Sequence, residues 1–248
     1  KNLVVVTNRD HEYLVKSELA SCGAAKAHVV LEPVGRNTAP AIALAAAFCR
    51  DKLGAAESEV LFVTPCDHVI QPVDVFAAGV LDAVKLAEQG SIVTFGIRPA
   101  GPETGYGYIQ AGERQGGAYI VKSFREKPDQ ATAEKYIAAG NYYWNSGMFG
   151  FTAGRLFKEL SAQQPEIAEL TAEPVEKILE QFEKMPDVSI DYGIMEKAGD
   201  VLVIPLAAYW NDIGSWDAIY DVLGKDKAGN AVKGDCINMG CTNTLMLS

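Results

Sequence analysis

The sequence predicts an α/β fold, a mostly parallel mixed sheet with helices on both faces, and three observations carry that expectation. Over roughly the first hundred residues, short continuous apolar runs alternate with longer segments of helical spacing, as in strands joined by crossover helices. Glycines stand where those helical segments should stop, at Gly23, Gly54 and Gly90. Later in the chain the runs shorten around a Gly116-Gly117 turn, which adds antiparallel strands. A length of 248 residues, 48% of them hydrophobic, suits one large domain or one domain with a small appendage.

Each element follows from its residues. Leu3 to Thr7 is a short apolar strand, and Asp10 to Ser21 has helical spacing with Tyr13, Leu14, Val15 and Leu19 as its apolar positions. His28 to Leu31 reads as a second strand. A helix from Thr38 to Leu53 opens at the capping residues Asn37-Thr38 and closes at Gly54. Val60 to Thr64 is a third strand, Asp74 to Glu88 a helix, and Ser91 to Gly96 a fourth strand. Tyr108 to Gln110 and Ala118 to Phe124 follow as antiparallel strands, then a helix over Gln130 to Ala139 and a strand over Gly147 to Thr152. Helices are expected over Gly154 to Gln163 and Pro165 to Glu183, a strand over Val201 to Pro205, and a helix over Ser215 to Leu223. From Gly229 the chain turns to Gly, Asn and short β-branched runs, the start of a β-structured module or a linker over 229–248.

Composition excludes some classes of function. A net charge of −10 argues against a general nucleic-acid binder, whose affinity rests on Lys and Arg neutralising phosphates. One triphosphate, by contrast, needs only a local cluster of cations and backbone donors. No apolar run approaches the length of a membrane span. Cys22, Cys49, Cys66, Cys236 and Cys241 are odd in number and widely spaced, which favours reduced thiols in a cytoplasmic protein. The chain starts at Lys1 and enters a strand at once, so it reads as a fragment whose N-terminus lies upstream. Its oligomeric state is open, a homo-oligomer included.

In parallel sheets ligands bind beyond the carboxyl ends of the strands, and the unusual residues fall in those loops. Asp67 follows a strand in TPCDHVI, and Asp212 follows another in YWNDIGSW. Two such carboxylates could share Mg²⁺, a hard cation that prefers oxygen ligands, or each could simply cap a turn. His68, beside Asp67, suits a structural role better than ligation of Mg²⁺. In LEPVGRNTAPA, Pro33 and Gly35 shape a turn before a helix start, where backbone N–H groups suit phosphate or base contacts. Arg36 could add a cation there, while an ordinary cap by Asn37 and Thr38 explains the same residues. Gly105 to Gln110 lets backbone approach a ligand closely at Gly107, or forms a plain turn. In FREKPD, Glu126 could accept two sugar hydroxyls and Lys127 could bind a phosphate, provided the backbone bends, because successive strand residues face opposite ways. Asn145 offers a donor and an acceptor among the aromatics of YYWNSGMFGF. Asp191, in SIDYGIMEK, is a further charged candidate, with a helical salt bridge to Lys197 as the plain explanation.

The order and wording of these segments narrow the reading. EPVGRNTAPA, TPCDHVI, FGIRPAGPETGYGYI, FREKPD, YYWNSGMFGF, SIDYGIMEK and WNDIGSW together resemble the mannose-1-phosphate guanylyltransferase family of the bacterial type, from about Lys1 to Lys233. That resemblance implies a Rossmann-like nucleotidyltransferase domain over 1–228. It also implies a place in polysaccharide precursor synthesis, with GTP and mannose 1-phosphate as substrates, GDP-mannose and pyrophosphate as products, and Mg²⁺ as cofactor. Carried over by motif, Asp67 and Asp212 look like metal ligands, with Asp67, Lys127 and Asp212 the catalytic groups. Gly107, Glu126, Lys127 and Asn145 look like sugar and sugar-phosphate contacts, Asp191 among the substrate-binding residues. Glu32, Pro33, Gly35 and Asn37 fall where the family holds the base, with Arg36 and Thr38 beside them. Related pyrimidine-using enzymes carry Gln where this chain has Glu32. An acceptor-only carboxylate suits the donors on guanine's edge.

Two departures stand against that pattern. No GxGxR-like phosphate loop occurs in these residues, and Thr64-Pro65-Cys66 replaces a Leu-Pro-Ala type run. The alternatives are a non-catalytic fragment or binding subunit of the same fold, and a transferase for another hexose 1-phosphate.

Overall fold

A computed structural model describes residues 2–248 of the chain. In order the elements are β1 (Val4–Asn8), α1 (Glu12–Ser21), β2 (His28–Glu32), α2 (Thr38–Leu53), β3 (Val60–Val63), β4 (Val69–Gln71) and α3 (Val73–Glu88). Then come β5 (Ile92–Ile97), β6 (Tyr108–Gln115), β7 (Ala118–Arg125), α4 (Gln130–Ala139), β8 (Tyr142–Thr152), α5 (Ala153–Gln163), α6 (Pro165–Thr171) and α7 (Val175–Glu180). A π-helical turn over Asp191–Met195 precedes β9 (Val201–Pro205), β10 (Tyr209–Asn211), α8 (Trp216–Val222), β11 (Ala231–Lys233) and β12 (Leu245–Leu247).

Local chemistry sets the boundaries. Asn37 accepts the Thr38 N–H at the start of α2, and Gly54, with φ +67°, ends it in the left-handed conformation that glycine adopts without strain. Asp129 caps α4 by accepting the Thr132 N–H, and Thr152 caps α5 by accepting that of Arg155. The single helix expected over Pro165 to Glu183 is two helices. Pro174 sits extended at the break, and its ring disfavours helical geometry in the residue before it. The strand expected from Gly147 begins at Tyr142, since the aromatic run before it is also extended.

The chain forms two compact units, one comprising residues up to Thr64 with Ala78–Leu206, the other Pro65–Ala77 with Ala207–Ser248. The first holds a six-stranded mixed sheet in the order β3-β8-β5-β9-β7-β6, with β6 also paired to β8, and a separate parallel pair β1-β2. Strands β3, β5, β9 and β6 share one direction, whereas β8 and β7 oppose it. Most strands therefore run in parallel, yet only β5 and β9 are parallel neighbours in this sheet, because the opposed strands are interleaved.

Every residue of β5 is buried, so both faces of the sheet are covered. Alternation divides the core. Phe149, Phe151, Val201 and Val203 share one cluster with Ala43, Leu44 and Ala47 of α2 and with Leu156, Ile167 and Ile178 of α5, α6 and α7. On the other face Phe95 packs so closely under Gly79 of α3 that a methyl there would lie 3.0 Å from its ring. Burying each of these large side chains contributes roughly 1.5–3 kcal/mol.

The second unit contains the antiparallel pair β4-β10, helix α8 and the parallel pair β11-β12. Its tail is held by buried Asn230, which accepts the Thr244 N–H and donates to Asp226 and to the Cys241 carbonyl. The β-structured tail expected from Gly229 lies within this unit. All five cysteines are free thiols, and no described helix is long and apolar enough to cross a membrane.

Candidate functional site

In the first unit, β7 delivers Glu126 and Lys127 to its carboxyl end, and the expected bend is real: Lys127 has φ +45°. That left-handed backbone is costly for a lysine, and such strain persists only where surrounding contacts fix it. It turns the Lys127 ammonium back to 3.7 Å from Glu126 Oε1, with Glu126 largely buried and Lys127 exposed. The Glu126 N–H donates to Glu196 Oε1 at 3.3 Å, while its own Oε2 is buried without a hydrogen-bond partner. A Cβ at Gly107 would collide with that Oε2, so the close approach requires glycine.

Asn145, in the middle of β8, donates from Nδ2 to Asp191 Oδ1 at 2.8 Å and accepts the Gly147 N–H at 3.1 Å. Its backbone N–H donates to the Gly107 carbonyl at 2.8 Å. Asp191 opens the π-helical turn, and no ion pair joins it to Lys197 among the described residues, so the amide has replaced the expected salt bridge.

Burial pushes the Glu126 carboxyl up to about 7, and neighbouring Asp191 pushes the same way, against the pull of Lys127. Burial also raises Asp191, opposed by the Asn145 amide and by Lys127. Three carboxylates, counting Glu196, thus crowd beside one exposed ammonium. Glu126 and Glu196 border an open cleft of about 600 Å³ that Lys127, Pro128, Tyr136 and Tyr192 also line. Tyr192 and Glu196 carry no motif of their own. Only their distance from Asp191, one and five residues on within the same helical turns, could have flagged them.

The loop from Glu32 to Thr38 occupies a second region of this unit. Glu32 ends β2 opposite Asn8 of β1, burial raises its carboxyl, and its Oε2 is buried without a partner. Pro33 and Val34 bend the chain after it, and Gly35 follows in irregular structure. The Arg36 guanidinium, read from sequence as a cation that could join this loop, donates to the Glu183 carbonyl at 2.6 Å. Thr38 Oγ1 accepts the Ile190 N–H at 2.8 Å, and the Ala39 N–H goes to the Val188 carbonyl at 3.1 Å. The start of α2 therefore anchors the segment that presents Asp191, and the Ala39 amide is spent on protein.

In the second unit, β4 and β10 pair with Val69 opposite Asn211. Asp67 and His68 precede that pair and Asp212 follows it, so all three lie at the same end of the antiparallel ribbon. Both aspartates act on His68, opposing the burial that lowers its pKa. Asp67 is mostly exposed, its Oδ1 3.8 Å from His68 Nε2. The Asp212 loop is tightly wound: Asn211 Oδ1 accepts the Ile213 N–H at 2.7 Å, Asp212 Oδ1 accepts that of Gly214 at 3.2 Å, and Ile213 has φ +52°. No cluster of three His, Cys, Asp or Glu suited to a metal occurs among the described residues. The donor set, two carboxylates, suits a hard cation that keeps most of its own ligands as water or phosphate oxygen.

Comparison with known proteins gives consistent results. A family model described as nucleotidyl transferase matches residues 1–229. The xanthan biosynthesis protein XanB of Xanthomonas campestris pv. campestris (strain B100) is 46% identical over 97% of this chain and 53% of its own length. A mannose-1-phosphate guanylyltransferase of Escherichia coli (strain K12) is 41% identical over 97% of the chain and 53% of its own length. A crystal structure described as mannose-1-phosphate geranyltransferase, from Thermus thermophilus, superposes with a TM-score of 0.81 at 34% identity, covering 94% of this chain and 67% of that one. The chain spans about half the length of the curated relatives it matches.

Proposed function

Because the chain belongs to the nucleotidyl transferase family, we propose that it transfers GMP from GTP to α-D-mannose 1-phosphate, giving GDP-mannose and pyrophosphate. One observation carries this reading above others: Asp67 and Asp212, far apart in sequence, flank the same end of the β4-β10 pair, where both act on His68. In the reaction an oxygen of the sugar phosphate attacks the α-phosphorus in line. The new P–O bond forms as the α–β bridge breaks, and the bridging electron pair leaves with pyrophosphate. Such chemistry depends on positioning and on neutralising charge.

Asp67 and Asp212 would hold Mg²⁺, which when bound supplies positive charge to phosphate oxygens. Lys127 meets the phosphate of the sugar and offsets its charge. Glu126 accepts sugar hydroxyls at its unpartnered Oε2, and Asn145, fixed by Asp191 and Gly147, offers its remaining donor and acceptor positions. Glu32 is an acceptor in want of donors, which suits guanine's N–H edge.

A panel of nucleoside triphosphates against sugar 1-phosphates, followed by pyrophosphate release, tests the proposal. GTP with mannose 1-phosphate should be preferred, and Glu32→Gln should erode the preference over UTP. Preference for a pyrimidine triphosphate would overturn the guanine reading, and preference for another hexose the mannose reading. Binding of GDP-mannose without any turnover would favour a non-catalytic binding subunit.

A further inference from the structure

His68 is placed in a way that neither nucleotide binding nor packing alone requires. The Trp210 indole N–H donates to His68 Nδ1 at 3.2 Å, and the two rings meet edge to face at 5.1 Å between centroids. Indole is a donor only, so Nδ1 must be an acceptor, and the proton of neutral imidazole is thereby confined to Nε2. That Nε2 faces Asp67 Oδ1 at 3.8 Å, with the imidazole largely enclosed and the carboxylate exposed. The distance is too long for a hydrogen bond in the resting chain, and a modest turn of the exposed Asp67 side chain closes it.

We infer that His68 is a positioning residue: locked by Trp210 as the Nε2–H tautomer, it orients the Asp67 carboxylate for a divalent cation. The register supports this arrangement, since Trp210 pairs with Ile70 and so stands beside the residue that it fixes. A neutral donor aligns Asp67 without placing a competing positive charge next to the cation. Groups outside the metal's own ligands commonly act in this way, and losing one costs about 10–100-fold in metal affinity. The inference rests on Asp67 being a metal ligand, as proposed above.

The test combines a spectrum with a titration. A long-range ¹H–¹⁵N spectrum of the intact chain should show His68 Nε2 protonated and Nδ1 bare. Mn²⁺ binding, read from the loss of the free-ion EPR signal, should weaken about tenfold in His68→Leu and return to within about threefold of wild type in His68→Gln, whose amide restores a donor. A protonated Nδ1 would overturn the inference, as would wild-type Mn²⁺ affinity in His68→Leu. Equal losses in both variants would also overturn it, since packing and not the donor would then be responsible. Asp67→Asn separates the two claims. If it abolishes binding while His68→Leu keeps wild-type affinity, only the role of His68 falls; if it binds Mn²⁺ normally, the metal reading falls and takes His68 with it.

Discussion

Replacing Glu126 by glutamine isolates the energetic consequence of a carboxylate buried against two others. Between an ordinary 4.5 and about 7, Glu126 is ionised in the unfolded chain but protonated in the fold. The folded state binds the extra proton across that window, so this group makes stability fall as pH rises through it, and the deficit is complete above about 7. At about 1.4 kcal/mol per pH unit the deficit is on the order of 3 kcal/mol. Glutamine has no proton to lose, so Glu126→Gln should match wild type near the acid end and exceed it by that amount on the alkaline side. Asp191 is present in both proteins and largely cancels. What remains adds in the same direction, because Asp191 ionises more easily once its neighbour is neutral. Urea unfolding of both proteins at intervals from about pH 5 to about pH 8.5 measures the gap. A gap independent of pH, or one that favours wild type as pH rises, would refute the reasoning and make Glu126 an ordinary carboxylate paired with Lys127.

Other perturbations follow from contacts already described. Gly107→Ala drives a methyl into Glu126 Oε2, so the Michaelis constant for sugar phosphate should rise at least about tenfold, while a thermal melt shifts by a few degrees. Thr38→Val strips the Ile190 N–H of its acceptor, and urea melts should show a loss of roughly 1–3 kcal/mol. On the proposed reaction, Asp67→Asn removes a charge that would steady the transition state, worth about 3–4 kcal/mol, so kcat for pyrophosphate release should fall roughly a hundredfold or more. Because Asp67 is exposed, the same variant should unfold within about 0.5 kcal/mol of wild type.

Much of the fold was legible because local chemistry announced it. Helix α2 runs from its Asn37 cap to its Gly54 stop as read, and α4 from Gln130 to Ala139 between Asp129 and Gly140. Strands β4 and β10 are three residues each, too short for a periodic signal, and their partnership depends on segments about 140 residues apart. The interleaving of β8 is likewise a matter of register, which no run of residue types specifies. Of the chemistry, FREKPD announced Glu126 and Lys127, because an acid and a base before a proline are conspicuous. The engagement of Arg36 with Glu183, the Trp210–His68 contact and the part played by Glu196 were hidden, since each joins residues that sequence spacing cannot bring together.

Asn145 lies on a strand that borders β3, β5 and β6 at once, at a point where the pairing with β5 shifts register. Its amide cannot be moved without sliding three neighbours, so the group that the proposed reaction would offer to a sugar behaves like a fitting cast into the frame. On the proposed reaction, a change of sugar preference would then come from the rim, at Lys127 or Tyr192, and leave that fitting as it is.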